Sequence, residues 1–290
     1  MPPAEASTPA RRVVVFGVDG VRYDTLRAAR TPVLDGVAAA GFLAPVRVNG
    51  LNPTISGPNW ATIATGVLSH QHGIVDNHLH GHRIADHPDF LARVRTARPA
   101  ARTYAAAGWL PLVDGAHGGP IFLGGGYVPP GGDCGEDLVA WEEAEDAVTA
   151  DAAAVLGRDD VTAAFVYLGA PDQYAHRLGV GPEYLASVES SDRRIGTVLD
   201  AILARPSYAA EEWTVVVATD HGHVDAGGHG GDSVEERVAW IAASGPTVPG
   251  EAPERLEQAD VAAHVLSTLD IPIEPGWELA GRPFDRRDRA

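Results

Sequence analysis

Short apolar runs, rich in β-branched residues, recur along this chain and predict buried strands. A run that is apolar throughout, rather than alternating with polar residues, is typical of a strand covered on both faces of a parallel sheet. The three clearest runs are RRVVVFGVDG (11–20), VTAAFVYLG (161–169) and EWTVVVATDHG (212–222).

Segments with helical character separate these runs and predict the layers on either side of the sheet. In the last segment Val261, Val265 and Leu266 fall on one face, and Pro272 follows its end. Strands that alternate with helices predict an α/β fold, a three-layer sandwich around a mostly parallel central sheet. The helical segments lie at roughly 59–66, 137–156, 182–204 and 256–269.

Residues 78–135 differ from the rest of the chain, because they are rich in Gly, Pro and His and have little periodicity. A chain of 290 residues can form one large α/β domain or two small ones. We expect a single catalytic domain over residues 1–290, with a small insertion or cap at about 78–135 at the edge of the sheet.

Charge and cysteine usage narrow the class of protein. The formal net charge is −17, and every basic residue is an arginine because the chain has no lysine. This charge argues against broad binding to nucleic acid or to an anionic membrane, both of which need a positive surface. Cys134 is the single cysteine, which excludes an internal disulfide framework and fits a reducing compartment. Residues 1–12, MPPAEASTPARR, also lack the apolar stretch of a signal peptide, so we expect a cytoplasmic location.

Potential metal ligands follow each of the three predicted strands. In open α/β sheets, ligands bind beyond the carboxyl ends of the strands. A single aspartate or histidine there is usually a loop residue or a helix cap, but three strands that end in this way favour a shared site. Asp172 and His176 stand four apart after Pro171, a spacing that puts them on one face of a helical turn. The ligands are Asp19 after the first strand, Asp172 and His176 after the second, and Asp220 and His221 at the end of the third.

A glycine-rich segment supplies the last predicted ligand, His229, whose neighbours in GGHGG (227–231) leave room for an ion to approach. His223 is expected to be exposed, or to contact a ligand rather than the ion. Imidazole and carboxylate without thiolate suit zinc first, with manganese and iron as alternatives. Six protein ligands exceed the needs of one tetrahedral catalytic ion, so they predict two divalent ions that share a substrate, about 3.5–4 Å apart.

Two hydroxyls are candidate nucleophiles, Ser56 and, two residues upstream, Thr54. Ser56 precedes Pro58 and a helix that we expect to begin near Asn59. On one interpretation Ser56 only caps that helix. On the other, the helix N-terminus favours an anion and a metal converts the hydroxyl to an alkoxide. Asn59 would then donate its amide to a phosphoryl oxygen.

Five segments occur in the order found in the alkaline phosphatase superfamily, and they resemble its type I phosphodiesterase and nucleotide pyrophosphatase family. The resemblance covers most of the chain, is poorest at about 78–135, and implies an alkaline-phosphatase-like fold. The segments are VVVFGVDGVRYDTL, NPTISGPNWATIATGVLSHQHGIVDN, YLGAPDQYAHRLGVGP, ATDHGHVDAGGHGG and DVAAHVLSTLDIPIEPGWELAGRPF.

The resemblance also implies a role for each site residue. It selects Ser56 over Thr54 as the nucleophile, which takes the phosphoryl group to form a phosphoserine that water then hydrolyses. Asn59 corresponds to the phosphate-binding asparagine of the family. One zinc would be held by Asp172, His176 and His229, and a second by Asp19, Ser56, Asp220 and His221.

The implied reaction is metal-dependent hydrolysis of a small phosphodiester or pyrophosphate, such as a nucleotide or a sugar phosphate. Because serine replaces the usual threonine of this family, a phosphomonoesterase is an alternative, and a metal-binding homologue without catalysis is another. A formylglycine sulfatase is disfavoured, since Trp60 stands where the sulfatase pattern Ser/Cys-x-Pro-x-Arg has arginine.

Trp60 and Tyr174 could stack on a base or sugar or pack in the core. Arg22 and Arg177 are candidates for binding phosphate oxygens.

Overall fold

A six-stranded sheet forms the middle layer of the molecule, for which the computed structural model describes residues 9–285. The strands are β1 (Ala10–Val18), β2 (Gly41–Arg47), β3 (Arg102–Ala106), β4 (Val161–Leu168), β5 (Glu211–Ala218) and β6 (Val238–Ser244). Their order is β2-β6-β5-β1-β4-β3. β1 pairs in parallel with β4 and β5, and β3 pairs in parallel with β4, whereas β6 is antiparallel to β5 and β2. The predicted α/β fold with a mostly parallel sheet is confirmed.

Helices cover both faces of this sheet. The longer ones are amphipathic, and several begin with a proline in the first turn, where the missing N–H costs nothing. The helices are α1 (Tyr23–Ala28), α2 (Pro32–Ala39), α3 (Ser56–Thr65), α4 (Ser69–His72), α5 (Phe90–Ala97), α6 (Leu138–Arg158), α7 (Ala170–Leu178), α8 (Pro182–Leu203), α9 (Val234–Arg237) and α10 (Asp260–Thr268).

Two apolar cores lie on opposite faces of the sheet, and β1 contributes to both. Because successive side chains of a strand point to opposite faces, Val13 and Val15 pack into one core while Val14 and Phe16 pack into the other. The first core contains residues of α3, α5 and α10, and the second contains residues of α6 and α8. Burying each such valine contributes about 1.5–3 kcal/mol, so both faces stabilise the central strand.

Residues 78–135 are only partly a surface insertion. Within them, α5 packs in the first core and β3 forms the edge strand of the main sheet. β3 covers the five residues RTYAA, which is too short to stand out from the flanking glycines and prolines. Residues 107–135 contain short helical turns, loops and an isolated β-bridge from Tyr127 to Ala106.

The carboxyl ends of β1, β4 and β5 meet at one edge of the sheet, because these three strands are adjacent and parallel. The backbone N–H of Asp19 donates to the carbonyl of Leu168 at 2.9 Å, which ties the end of β1 to the end of β4. Loops that leave this edge carry most of the predicted ligands.

None of the helices within residues 9–285 combines the length and the apolar character that a membrane span requires.

Candidate metal centre

Asp19, Asp220 and His221 meet where β1 and β5 end side by side. Nε2 of His221 lies 3.2 Å from Oδ2 of Asp220 and 3.7 Å from Oδ1 of Asp19. All three side chains are buried. Neighbours within a strand point to opposite faces, so Asp220 and His221 can share a site only because β5 has already ended at Ala218.

Ser56 joins this set as the first residue of α3. Its Oγ lies 3.2 Å from Nε2 of His221, and the side chain is only 5% exposed. The residue in the cap position is Ile55, and Ser56 makes no capping hydrogen bond. The helix therefore begins earlier than expected, and the serine hydroxyl faces the carboxylates and imidazole instead of closing the helix end.

Thr54, the rival hydroxyl, has a structural role in the described chain. Its Oγ1 donates to the carbonyl of Gly231 at 2.8 Å and accepts from the N–H of Gly230 at 3.0 Å. Its own carbonyl lies 2.8 Å from Nδ1 of His229. Thr54 thus holds the loop that carries His229, which leaves Ser56 as the hydroxyl in the site.

A second set of ligands forms between α7 and that loop. On α7, Asp172 and His176 are one turn apart, with Nε2 of His176 3.4 Å from Oδ2 of Asp172. Nε2 of His229 lies 3.0 Å from Nε2 of His176 and 3.6 Å from Oδ1 of Asp172. Gly227 brings the loop this close, since a Cβ there would lie 1.8 Å from the carbonyl oxygen of Ala175.

Each of the three aspartates uses one oxygen for hydrogen bonds and leaves the other without a partner. Oδ2 of Asp19 accepts from Trp60 and Tyr167, both at 2.7 Å. Oδ1 of Asp220 accepts from Gly20 at 3.1 Å, and Oδ2 of Asp172 from the neighbouring glutamine at 3.0 Å. The buried atoms that remain without a partner are Oδ1 of Asp19, Oδ2 of Asp220 and Oδ1 of Asp172.

The electrostatics of these groups fit a bound cation. Burial and the charges of Asp220 and Asp172 raise the pKa of Asp19, and burial also raises the pKa of Asp220. Burial and the nearby His229 lower the pKa of His221, which keeps the imidazole neutral and able to coordinate. Three buried carboxylates with open oxygens close together are costly without a positive charge. Divalent cations at the two ligand sets would offset that cost.

The pKa of Asp172 shifts the other way. Burial alone would raise it, but His223, His176 and His229 surround the carboxylate and hold its pKa below the ordinary value. Asp172 is therefore ionised and available as a ligand.

Of the two positions expected for His223, the structure shows contact with a ligand. The side chain is fully buried, and its Nε2 is 3.0 Å from Oδ1 of Asp172. The polypeptide after β5 folds back over the edge of the sheet, so that the side chain two residues after His221 also turns inward.

Asn59 is not placed to bind a phosphoryl oxygen. Its amide donates to the carbonyls of Pro53 at 2.9 Å and Ile55 at 3.0 Å, and its Oδ1 accepts from Asn52. Asn77 is the amide beside the nucleophile, because its Oδ1 accepts from the N–H of Gly57 at 2.7 Å. No described residue accepts a hydrogen bond from the amide nitrogen of Asn77. Its position in HGIVDN, a turn after α4, offered no local signal that it reaches back to Ser56.

The other side chains singled out from the sequence lie in different surroundings. Trp60 is buried and donates to Asp19, so it supports a ligand instead of stacking on a substrate. Tyr174 packs partly buried against both cores. Arg22 is paired with Asp24 and Asp225, and Arg177 contacts Glu136 at the surface, so carboxylates already contact both guanidinium groups.

Comparison with known proteins gives one match by sequence. The family described as type I phosphodiesterase / nucleotide pyrophosphatase matches residues 13–239. No curated protein matches the chain.

Several solved structures share the fold at low sequence identity. Murine ectonucleotide pyrophosphatase / phosphodiesterase 5, in an inactive form in complex with AMP, is 17% identical with a TM-score of 0.64, covering 91% of this chain and 96% of that one. A 2-O GAG sulfatase is 13% identical with a TM-score of 0.69, covering 96% and 73%. A protein in complex with its substrate D-glucosamine-2-N,6-O-disulfate is 12% identical with a TM-score of 0.69, covering 96% and 80%. At these identities the likeness shows the fold.

Proposed function

The chain belongs to the type I phosphodiesterase / nucleotide pyrophosphatase family, and on that premise we propose that it hydrolyses a small phosphodiester or pyrophosphate with Ser56 as the nucleophile. The observation that carries this proposal is the buried Ser56 hydroxyl, 3.2 Å from Nε2 of His221, which itself lies 3.2 Å from the open oxygen of Asp220 and 3.7 Å from that of Asp19. Members of the alkaline phosphatase superfamily use divalent metals, and the two ligand sets fit such ions.

We assign the ligands as the sequence suggested. Asp19, Asp220 and His221, with Ser56, would hold one ion, and Asp172, His176 and His229 would hold the other. The mixed nitrogen and oxygen donors favour zinc, with manganese and iron as alternatives. When bound, such ions supply positive charge that favours the ionised serine and balances the charge of the transferring phosphoryl group.

In this proposal the ionised Ser56 attacks phosphorus, the bond to one substituent breaks, and that substituent leaves as an alcohol or phosphate that takes a proton from water. The phosphoserine that forms still carries the second substituent. Water then cleaves the bond between phosphorus and Ser56, which restores the hydroxyl and releases the second substituent as its phosphate monoester. Ser56 begins α3, so the positive end of the helix dipole lies near the developing charge. The amide nitrogen of Asn77 is free to donate to a phosphoryl oxygen, a contact that strengthens as charge develops there.

Two observations favour a diester or pyrophosphate over a monoester. Both arginines near the ligands already contact carboxylates, which disfavours their use in binding the extra charged oxygen of a monoester. Beside Asn77 there is also a groove of about 390 Å³, lined in part by His78 and Trp109, where a second ester substituent would fit. The substrate we propose is a small molecule, for which a nucleotide and a sugar phosphate are the first candidates.

Turnover of three chromogenic esters tests the substrate class. We expect the zinc-loaded protein to hydrolyse bis-(4-nitrophenyl) phosphate faster than 4-nitrophenyl phosphate, and to leave 4-nitrophenyl sulfate nearly untouched. Faster turnover of the monoester would establish the phosphomonoesterase instead, and turnover of the sulfate would replace the proposal with a sulfatase.

Ser56→Ala tests the nucleophile. Loss of the attacking hydroxyl should lower kcat roughly 10³-fold or more, while zinc content stays near that of the wild type. Ser187→Ala is a matched control, since Ser187 is equally buried but bonds to the carbonyl of Tyr184 in α8. Wild-type turnover by Ser56→Ala would exclude the phosphoserine route.

We also propose a cytoplasmic location, which rests on the single cysteine. Cell fractionation with an antibody against the chain would test it.

A further inference from the structure

His223 is the one histidine near the two ligand sets to which neither set assigns a role. Its side chain is fully buried, and neither ring nitrogen has a hydrogen-bond partner among the described residues. His221 and His229 differ in this respect, because a backbone carbonyl lies beside Nδ1 of each. Nε2 does lie 3.0 Å from Oδ1 of Asp172, but without the geometry of a hydrogen bond, and Nδ1 has no contact of this kind. A buried imidazole so poorly satisfied is costly, which indicates that the site holds something that His223 binds.

The position of His223 is between the two ligand sets. Its Nε2 lies 3.0 Å from Oδ1 of Asp172, the open oxygen of that carboxylate. Its ring centroid is 5.6 Å from that of His221 and 5.1 Å from that of His229. Asp172, His221 and His223 have ligand atoms within 4.8 Å of one another, so they form a third triad that shares one residue with each set.

The fold leaves room for this imidazole. Gly20 has a φ of +66°, and a Cβ there would lie 2.5 Å from Nε2 of His223 and 2.8 Å from Oδ1 of Asp172. Tyr184 packs edge-on against the imidazole, with ring centroids 6.2 Å apart. Any larger residue at position 20 would displace His223 from Asp172.

We propose that His223 is a direct metal ligand, and that its imidazole joins the divalent transition-metal ion bound by His221, with Asp172 lying between the two ligand sets. This inference rests on the metal centre of the proposed function and adds a fourth imidazole to it. A nitrogen-rich set of this kind selects first-row transition metals such as zinc over magnesium or calcium, which prefer oxygen ligands. Without a metal role, His223 would serve only to donate a hydrogen bond to Asp172, and the two possibilities differ in the number of imidazoles bound to metal.

Cadmium substitution counts those imidazoles in the wild-type protein. Cd²⁺ replaces the native ions, and NMR couplings between cadmium and histidine ring protons identify each coordinated ring. We expect four coupled histidines, namely His176, His221, His223 and His229. Three coupled rings, with His223 absent, would overturn the inference and leave the proposed function intact. If the wild type binds no divalent ion, both fail.

Variants provide an independent measurement. For His223→Asn, competition with a chelator should show a Zn²⁺ dissociation constant raised by more than the roughly 10–100-fold expected if His223 only bonded to a ligand. His264→Asn is the matched control, because His264 is also fully buried but stacks on Phe284 away from the ligands. Unchanged zinc affinity in a folded His223→Asn protein would argue that His223 is no ligand, and if that variant does not fold, the cadmium count on the wild type decides alone.

Discussion

At the scale of single residues, each aspartate of the candidate metal centre has one oxygen that accepts hydrogen bonds and one that accepts none. Trp60 and Tyr167 fix Asp19, while the backbone N–H of Gly20 fixes Asp220. Such outer contacts orient a carboxylate before an ion arrives and so reduce the entropy lost on binding. The strand ends bring the ligands together, and these neighbours then determine which way each oxygen points.

The two asparagines near Ser56 should respond differently to substitution. In Asn77→Ala we expect kcat to fall about 10²–10³-fold, because a donor to the developing charge is lost, with stability nearly unchanged since the side chain is exposed. Asn59→Ala should instead lower the free energy of unfolding by roughly 2–3 kcal/mol, because its bonds to Pro53, Ile55 and Asn52 are lost. Steady-state kinetics and urea unfolding on both variants check this. Normal kcat in Asn77→Ala would remove the asparagine from the mechanism.

At the scale of secondary-structure elements, α7 depends on a buried carboxylate for its placement. Glu145 of α6 accepts from the N–H of Ala170, the first residue of α7, at 2.5 Å. Its other oxygen lies 2.8 Å from Arg194 of α8, and both side chains are buried. A carboxylate at a helix N-terminus is favoured by the helix dipole, so Glu145 anchors the element that carries Asp172.

Removing that anchor should weaken both folding and metal binding. We expect Glu145→Ala to lower the free energy of unfolding by about 3–5 kcal/mol, because Arg194 loses its buried partner, and to weaken zinc binding through displacement of α7. Glu145→Gln should cost less, since its amide oxygen can still accept from Ala170. Glu142→Ala is the control, because Glu142 pairs with Arg194 at a more exposed position and should cost at most about 1 kcal/mol. Urea unfolding and chelator competition measure the two effects, and equal costs for Glu145→Ala and Glu142→Ala would contradict the anchoring role.

At the scale of the whole molecule, metal removal should lower stability. The open aspartate oxygens repel one another without a cation, so binding to the folded state alone stabilises it, by about 2.7 kcal/mol when free zinc is 100 times its dissociation constant. We expect a chelator to lower the Tm and added Zn²⁺ to restore it, measured by calorimetry in the same buffer. A Tm that does not change with zinc would mean that the folded chain binds no zinc at these positions.

Buried histidines outside the site should make the fold sensitive to acid. Burial lowers the pKa of His264 to about 3, and likewise that of His72. The unfolded chain binds these protons near pH 6.5 and the folded chain only near pH 3, so stability is lost as the pH falls below about 6.5, at up to about 1.4 kcal/mol per pH unit for each histidine.

Replacing His264 tests whether this histidine makes the folded protein less stable as the pH falls. In His264→Asn, Oδ1 can still accept from the N–H of Phe284, which bonds to Nδ1 in the wild type at 3.3 Å. We expect the variant to lose less stability than the wild type between pH 6.5 and 5, by roughly 1–2 kcal/mol, even if it is less stable at neutral pH. Urea unfolding at both pH values, on zinc-free protein, measures the difference. A parallel loss in the two proteins would show that His264 does not contribute.

The sequence by itself determined the α/β class, the three long strands and the set of candidate ligands. These features are local, because an unbroken apolar run and the polar residues that follow it are written in consecutive positions. It also favoured Ser56 over Thr54 through family resemblance, and the structure adds a physical reason, since the Thr54 hydroxyl bonds to the loop that carries His229.

Only the tertiary structure decided which polar groups are free to act. The sequence alone does not separate the roles of Asn59 and Asn77. In the structure the Asn59 amide donates to nearby carbonyls, whereas the Asn77 side chain accepts from Gly57, 20 residues away. His223 turned out to be buried against Asp172, and Trp60 to support Asp19 across 41 residues. The physical reason is that hydrogen bonding and burial depend on which distant segments pack together, and residue spacing along the chain does not record that.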